Sequence, residues 1–448
     1  MLSAESFWTS SLHQLPDGER VTRILSTAIN SIDPGLAVIR YVQREGDLLT
    51  VAGRVYDLSF FHRVVLLGMG KASVSMSEAL ANILADRLSA GLIVSKQAPI
   101  DSHSPVDIMV GGHPIPDERS LEAGKKTIEL VSSLGPNDLL FCLISGGASA
   151  LVAAPVSGIS LADIQSLTSA LLACGARIDE INTLRRRLDL LKGGGVVKLS
   201  SGATIVSLIL SDVVGNSLEA IASGPTAPDP ASRVDSLSVL AKYGLENSIP
   251  TSILFSLKTS PETLKPGDTL FANVQNVIVG GNLQAAQAAL TQAQLEGFHP
   301  YLLTVELQGE ASHVAFELAT VVRQASLTGD PVPAPSCIVA GGETTVTLKG
   351  NGKGGRNTEL ALAAVTELAD FPGVMLITLA TDGEDGPTDA AGAVVTGDTF
   401  RRAAALGLQP GVFLERNDSF TFFSALGDLI KTGPTGSNGN DLVFMFTY

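Results

Sequence analysis

Four carboxylates, Asp382, Glu384, Asp385 and Asp389, stand within one short stretch, Thr381-Asp-Gly-Glu-Asp-Gly-Pro-Thr-Asp389. Acids that close together oppose one another's ionisation, so a metal ion or basic side chains are expected opposite them, the alternative being a plain solvated acidic turn. Cations are placed just as distinctively. Lys71 follows Gly68-Met-Gly70, Arg356 follows Gly354-Gly355, and Arg185-Arg186-Arg187 leads into Lys192-Gly-Gly-Gly195. In a chain of net charge −15, an anionic substrate must be met by such locally placed lysines and arginines. The chemistry these residue types could carry is the neutralisation of a phosphate or carboxylate beside a carboxylate able to take a proton.

Each candidate follows an element able to hold it. The acidic stretch follows the apolar run Val374-Met-Leu-Ile-Thr-Leu-Ala380, which reads as a buried strand with carboxylates at its carboxyl end. His62 to Met69 reads as a strand, Gly70 as a turn and Lys71 as the start of a helix, a βα turn that could offer backbone N–H groups to an anion. Lys71 could equally be an ordinary helix-start lysine. The strand Asp138–Ile144 runs into Ser145-Gly146-Gly147-Ala148-Ser149, small enough for a backbone to approach phosphate and provided with hydroxyls. Thr204–Leu210 is another buried strand, and it puts Asp212 at its carboxyl end, where a catalytic acid would sit. Ile181–Leu188 reads as a basic helix, either a solvated face or an anion site. The loop Gly350-Asn-Gly-Lys-Gly-Gly-Arg356-Asn357 opens a long helix whose N–H groups and guanidinium suit an oxyanion. Thr432 to Asn440, with Thr435 and Asn438, is a further small-residue loop ahead of an edge or closing strand. His113, in Gly-Gly-His113-Pro-Ile-Pro-Asp-Glu118, fits a structural role as well as a functional one.

Composition narrows the class. With 448 residues, two domains are expected, and 45% hydrophobic residues, 17% charged residues and 45 glycines suit an α/β protein with tight loops. The acidic balance argues against nucleic acid or an acidic membrane surface as partner. Cys142, Cys174 and Cys337 have neither zinc-ligand nor redox spacing and read as small hydrophobes of a reducing compartment. No membrane-spanning run and no leader segment is read, so a cytoplasmic enzyme is the expectation. The proline-bearing stretch between Tyr243 and Asp268 is the expected boundary, giving domains 1–255 and 269–448, with a second α/β series opening at Val274.

The Gly68-Met-Gly70-Lys71 turn is not a P-loop, because Gly-x-x-x-x-Gly-Lys-Ser/Thr is missing. The Gly68-Met-Gly70 turn lacks the third glycine of a dinucleotide fingerprint, and Ser145 and Ser149 do not form a nucleophile elbow.

Taken together, these blocks resemble the MOFRL-containing glycerate 2-kinases: Gly68-Met-Gly-Lys71-Ala, Gly112-His-Pro-x-Pro-Asp-Glu118, Ser145-Gly-Gly-Ala-Ser149, Ile181-Asn182-Thr-x-Arg185, Leu210-Ser-Asp-Val213, Ser223-Gly-Pro-Thr226, Gly355-Arg-Asn357, Thr381-Asp-Gly-x-Asp-Gly386 and Thr432-Gly-Pro-Thr-Gly436. The resemblance implies phosphorylation of D-glycerate by ATP and Mg²⁺. It also implies a larger Rossmann-like N-terminal domain and a smaller α/β C-terminal one, with the active site in the cleft. By resemblance, Lys71, Arg356, Asp212 and Asp382 are the catalytic residues. Asp382 and Asp385 would bind Mg²⁺, and Asp212 would accept the hydroxyl proton, or exchange that role with Asp382. Nucleotide and substrate would meet Gly70, Ser145, Gly146, Gly147, Ala148, Ser149, Asn182, Arg185, Asn357, Thr435 and Asn438. Two departures bear on the acceptor: Asn216 stands where the family usually has Asp, and Gly195 where Lys-Gly-Gly is commonly followed by arginine. A hydroxypyruvate reductase, a kinase for a related hydroxy acid and a non-catalytic sensor are the rival readings. The oligomeric state stays open, a homodimer among its options.

Overall fold

Apolar runs without polar alternation become strands covered on both faces, and such strands carry the fold in the computed structural model, which describes residues 1–97 and 106–448. The chain divides into two units, one of Pro34–Val279 and one of Met1–Asp33 with Gly280–Tyr448.

In the unit Pro34–Val279, β1 (Val42–Glu45), β2 (Leu48–Val51) and β3 (Arg54–Asp57) form an antiparallel meander. The main sheet contains β4 (Arg63–Met69), β5 (Leu88–Ser95), β6 (Val106–Val110), β7 (Asp138–Ile144), β8 (Thr204–Leu210) and β9 (Val274–Gly280). Their order is β6-β5-β4-β7-β8-β9, and the pairs from β6 to β8 are parallel. Alternate residues enter different cores, Val64 and Leu66 of β4 on one face and Val65 and Leu67 on the other, with Leu139, Phe141 and Leu143 of β7 opposed to Leu140, Cys142 and Ile144. The chain winds outward from β4 through β5 and β6, then returns to β7, so the direction of winding reverses between β4 and β7. Open α/β sheets bind their ligands at the carboxyl ends of strands beside such a reversal.

The second unit carries β10 (His299–Glu310), β11 (Ser336–Thr345), β12 (Val374–Ala380), β13 (Gly392–Thr396), β14 (Leu429–Ile430) and β15 (Asp441–Thr447). Their order is β10-β11-β15-β12-β13-β14. β10 and β11 are parallel, whereas β15 is antiparallel to both its neighbours. The final strand, expected at an edge or as a closing strand, is therefore interior. Leu442, Phe444 and Phe446 enter one core while Val443 and Met445 enter the other, the two-sided burial that a continuous apolar run favours.

The units are not the continuous segments 1–255 and 269–448 expected from the sequence. Met1–Asp33 goes with Gly280–Tyr448 because the apolar face of the helix Gly18–Ser31, with Val21, Ile24, Leu25 and Ala28, is buried in one core with Ala285, Ala289, Phe444 and Phe446. β9, expected to open the second series, adds to the first sheet. The supposed linker is also held there: Glu262 bonds Arg187 at 2.6 Å and Thr263 bonds Asp229 at 2.8 Å. Cys142 and Cys337 are buried as expected, but Cys174 is exposed. No helix among the described residues is long and apolar enough to cross a membrane.

Candidate active site

The carboxyl ends of β4 and β7 bring Gly70-Lys71 and Ser145-Gly146-Gly147 together at the winding reversal. Gly70 takes φ +128°, and a Cβ there would collide with Ser145, so only glycine lets the two loops meet. The Lys71 N–H donates to the Gly146 carbonyl at 3.0 Å and the Ala72 N–H to Ser145 Oγ at 3.0 Å. These N–H groups, expected to face an anion, instead tie one loop to the other. The Lys71 side chain is exposed, and its ammonium has no hydrogen-bond or ion-pair partner among the described residues.

Around the diglycine stand two more polar groups. The Asp212 carboxylate lies against Gly146, where a Cβ would strike it, and the His113 imidazole lies against Gly147 beside the Lys71 stem. Burial, then the charges of Lys71 and Lys96, push the His113 imidazole below its ordinary value, favouring the neutral ring. Sequence alone left His113 undecided; its place in this cluster comes from the loop after β6.

Beyond the diglycine, Ser149 Oγ is 2.9 Å from Ser223 Oγ, which donates to Asn182 Oδ1 at 3.1 Å. The arginine run resolves into three different environments. Arg186 is buried on Asp229 at 2.7 Å, and Arg187 bonds Glu262. Lys192 bonds Asp189 and the Val152 carbonyl. Arg185 has no hydrogen-bond or ion-pair partner among the described residues, and burial lowers its pKa from the ordinary arginine value.

In the second unit several groups expected to meet a ligand are engaged by the protein itself. Asp385, expected as a metal ligand, caps the helix Arg356–Glu367. Its Oδ1 accepts from the Asn357 N–H at 2.9 Å, and its Oδ2 accepts from the Thr358 N–H and hydroxyl at 2.8 Å each. The anion at this helix start is thus the protein's own carboxylate, in the position the helix dipole favours. Burial raises the Asp385 pKa, opposed by these hydrogen bonds. Asn357, expected to bind ligand, is buried in the same cap. The glycines before Arg356 approach the chain itself, since Cβ atoms at Gly350, Gly352 and Gly354 would strike Arg416, Asp418 and Ser419.

Arg356 is paired within the protein as well. Its Nε bonds Asp441 Oδ2 at 2.5 Å, and its Nη1 bonds Glu343. Burial drives the Asp441 carboxyl up to about 7 against the pull of Arg356. Sequence reasoning missed both acids. An aspartate leading a wholly apolar strand was the available signal for Asp441, since a buried carboxylate needs a counter-charge.

The four acids of the opening stretch are parted by the fold. Asp385 faces inward, Asp389 pairs with Lys431 at 3.1 Å, and Asp382 Oδ1 accepts from the Glu384 N–H at 3.1 Å. Thr435, expected in a cradle, braces this loop: its N–H donates to the Asp382 carbonyl and its hydroxyl to the Thr381 carbonyl at 2.7 Å. Asn438 Oδ1 accepts from the Asn440 N–H. Asp382, Glu384, Glu343 and Arg356 line a cavity of about 520 Å³. Among the described residues, no three His, Cys, Asp or Glu side chains form a group that could hold a metal ion. A single cavity carboxylate such as Asp382 fits the donor set of an ion that takes one carboxylate, water and substrate phosphate, as Mg²⁺ often does.

Comparison with known proteins bears on both units. Residues 20–258 match a domain of unknown function, DUF4147, and residues 336–441 match the MOFRL family. A D-glycerate 2-kinase of Thermotoga maritima is 40% identical over 385 residues, 85% of this chain and 90% of that protein. A putative hydroxypyruvate reductase of Agrobacterium vitis is 37% identical over 94% of this chain and 92% of its own length. Among solved structures, a glycerate kinase crystal structure from Thermotoga maritima superposes with a TM-score of 0.85 at 36% identity, over 96% of this chain and 99% of that one.

Proposed function

The chain belongs to the family of MOFRL-containing glycerate kinases, and from that premise we propose that it transfers the terminal phosphoryl group of ATP to the 2-hydroxyl of D-glycerate. The observation that carries the reading is Lys71. It stands beside the diglycine and near Asp212 at the winding reversal of a parallel sheet, with no intrachain partner among the described residues. Phosphoryl transfer asks a protein for alignment and charge neutralisation rather than covalent chemistry.

In this reading Asp212 accepts the proton of the acceptor hydroxyl as its oxygen attacks the γ-phosphorus. The bond to the departing ADP oxygen breaks, and Lys71 offsets the charge on the transferring group. Asp382 exchanges roles with Asp212 in the alternative assignment. Mg²⁺, when bound, would screen the phosphate charge, with Asp382 as the residue that fits it. Asp385 holds the helix start, and Arg356, already balanced by two carboxylates, positions Glu343 and Asp441.

The test is turnover of D-glycerate with ATP and Mg²⁺, the product located by phosphorus NMR. A phosphate on C2 is expected. A panel of three- and four-carbon hydroxy acids ranks rival acceptors, and better turnover of another member would displace glycerate. The name of the Agrobacterium relative keeps hydroxypyruvate reduction as the second reading. Against it, the N–H groups of Lys71 and Ala72 are occupied by Gly146 and Ser145, so that turn has no such donors for a dinucleotide pyrophosphate. Loss of NADH absorbance on adding hydroxypyruvate, with no phosphorylation of glycerate, would decide for the reductase.

A further inference from the structure

Arg185 is the odd member of its run. Arg186 and Arg187 each bond a carboxylate and a carbonyl, while Arg185, partly buried on the same helix Ile178–Leu188, has neither kind of partner among the described residues. A partly desolvated guanidinium without a counter-charge gains most from an anion that joins it.

The space beside it says what kind of anion. Arg185 lines a niche of about 30 Å³ with Ser149, Ala153, Leu161, Asp189 and Lys192. That is room for about two waters, comparable with the two oxygens of a carboxylate and far too small for a nucleobase. Asp189 and Lys192 balance each other, which leaves the niche with the single positive charge of Arg185.

Ser149 adds a second element of recognition. Asn182 Nδ2 faces the Ala220 carbonyl at 3.5 Å, so its Oδ1 takes the Ser223 proton. The Ser223 oxygen then accepts from Ser149. With its proton engaged, Ser149 Oγ can only accept, and the ligand group it suits is a hydroxyl.

Resting on the glycerate kinase reading, we infer that this niche holds the acid end of a small hydroxy acid, its carboxylate forked by Arg185 and a hydroxyl donating to Ser149 Oγ. The acceptor's carboxylate is thereby assigned to Arg185 rather than to Arg356, whose fork is filled from within the protein, and Lys71 is left to the phosphoryl group.

The experiment compares the wild-type protein with Arg185→Ala and Arg185→Lys, using KM for D-glycerate, KM for ATP, turnover of glyceramide, and calorimetric binding of D-glycerate without nucleotide. Arg185→Ala is expected to raise the glycerate KM on the order of 30-fold or more, leave the ATP KM unchanged, and abolish the preference for glycerate over its neutral amide. Arg185→Lys should recover part of that preference. An Arg185→Ala protein with unaltered glycerate KM, or one whose ATP KM rises instead, overturns the inference. If the wild-type protein does not phosphorylate glycerate, the kinase reading fails by itself, and calorimetry then judges Arg185. Binding of D-glycerate that Arg185→Ala loses supports the niche; equal binding by both proteins, or none by either, overturns it.

Discussion

Both oxygens of Asp385 are engaged by the first turn of the helix Arg356–Glu367, while the ammonium of Lys71 touches no partner among the described residues. The two residues should therefore separate stability from activity. Asp385→Ala removes a buried cap with charge-assisted bonds and is expected to cost about 2 kcal/mol or more in urea unfolding. Asp385→Asn, which keeps the shape and one acceptor, should lose less. Lys71→Ala should stay within about 0.5 kcal/mol of the parent in the same titration, as an exposed side chain without hydrogen bonds or ion pairs does. It should lower kcat at least about 100-fold, the scale of losing one charge-stabilising donor. Near-parental turnover by Lys71→Ala would remove that residue from the chemistry.

Helices in the larger unit are fastened by charge, and one fastening makes a pH-dependent prediction. The N-terminus of the helix Ile178–Leu188 is capped by Glu180, whose Oε2 accepts from the Arg177 N–H at 3.0 Å and from the Tyr243 hydroxyl at 2.7 Å, and whose Oε1 bonds Lys242 at 2.6 Å. The Lys242 hydrogen bond, followed by that of Tyr243, holds the Glu180 carboxyl down at about 2 instead of the ordinary 4.5. A depressed carboxylate contributes stability above its unfolded value and loses it as pH falls through the folded one. The contribution is thus whole near neutrality and disappears between about pH 4.5 and 2. Glu180→Gln should be less stable than the parent at neutral pH and should flatten the fall of stability across that acidic window. Parallel curves for the two proteins in acid would mean that this cap carries no linkage.

On the scale of the whole molecule, the first segment of the chain completes the unit formed by the last. Ser11 donates its N–H and hydroxyl to Asp428, which is fully buried and also bonded by Arg402, and Arg23 forks Glu296 at 2.7 and 2.8 Å. A fragment of residues 280–448 would leave Asp428 without its serine, and would expose the faces of Phe444 and Phe446 that share a core with Phe7 and Val21. Burial of such side chains contributes about 1.5–3 kcal/mol each. Expressed alone, that fragment is expected to aggregate or melt without cooperativity, whereas fusing residues 1–33 to it should restore a sigmoidal transition by circular dichroism. A cooperative, soluble 280–448 fragment would contradict this account.

Much of this was legible in the residues themselves. The limits of Thr204–Leu210 and Val374–Ala380 as strands follow from their apolar runs, and the ordered motif blocks pointed to the kinase family, because short-range pattern encodes elements and loops. The sequence could not say which cations were already neutralised. Arg186 meets Asp229, Arg187 meets Glu262 and Arg356 meets Asp441 across long stretches of chain, and ion pairing depends on distance in space, not on order along the backbone. Only the tertiary structure decided that Asp385 serves a helix, that the last strand lies inside its sheet, and that Arg185 and Lys71 are left with charge to offer a ligand.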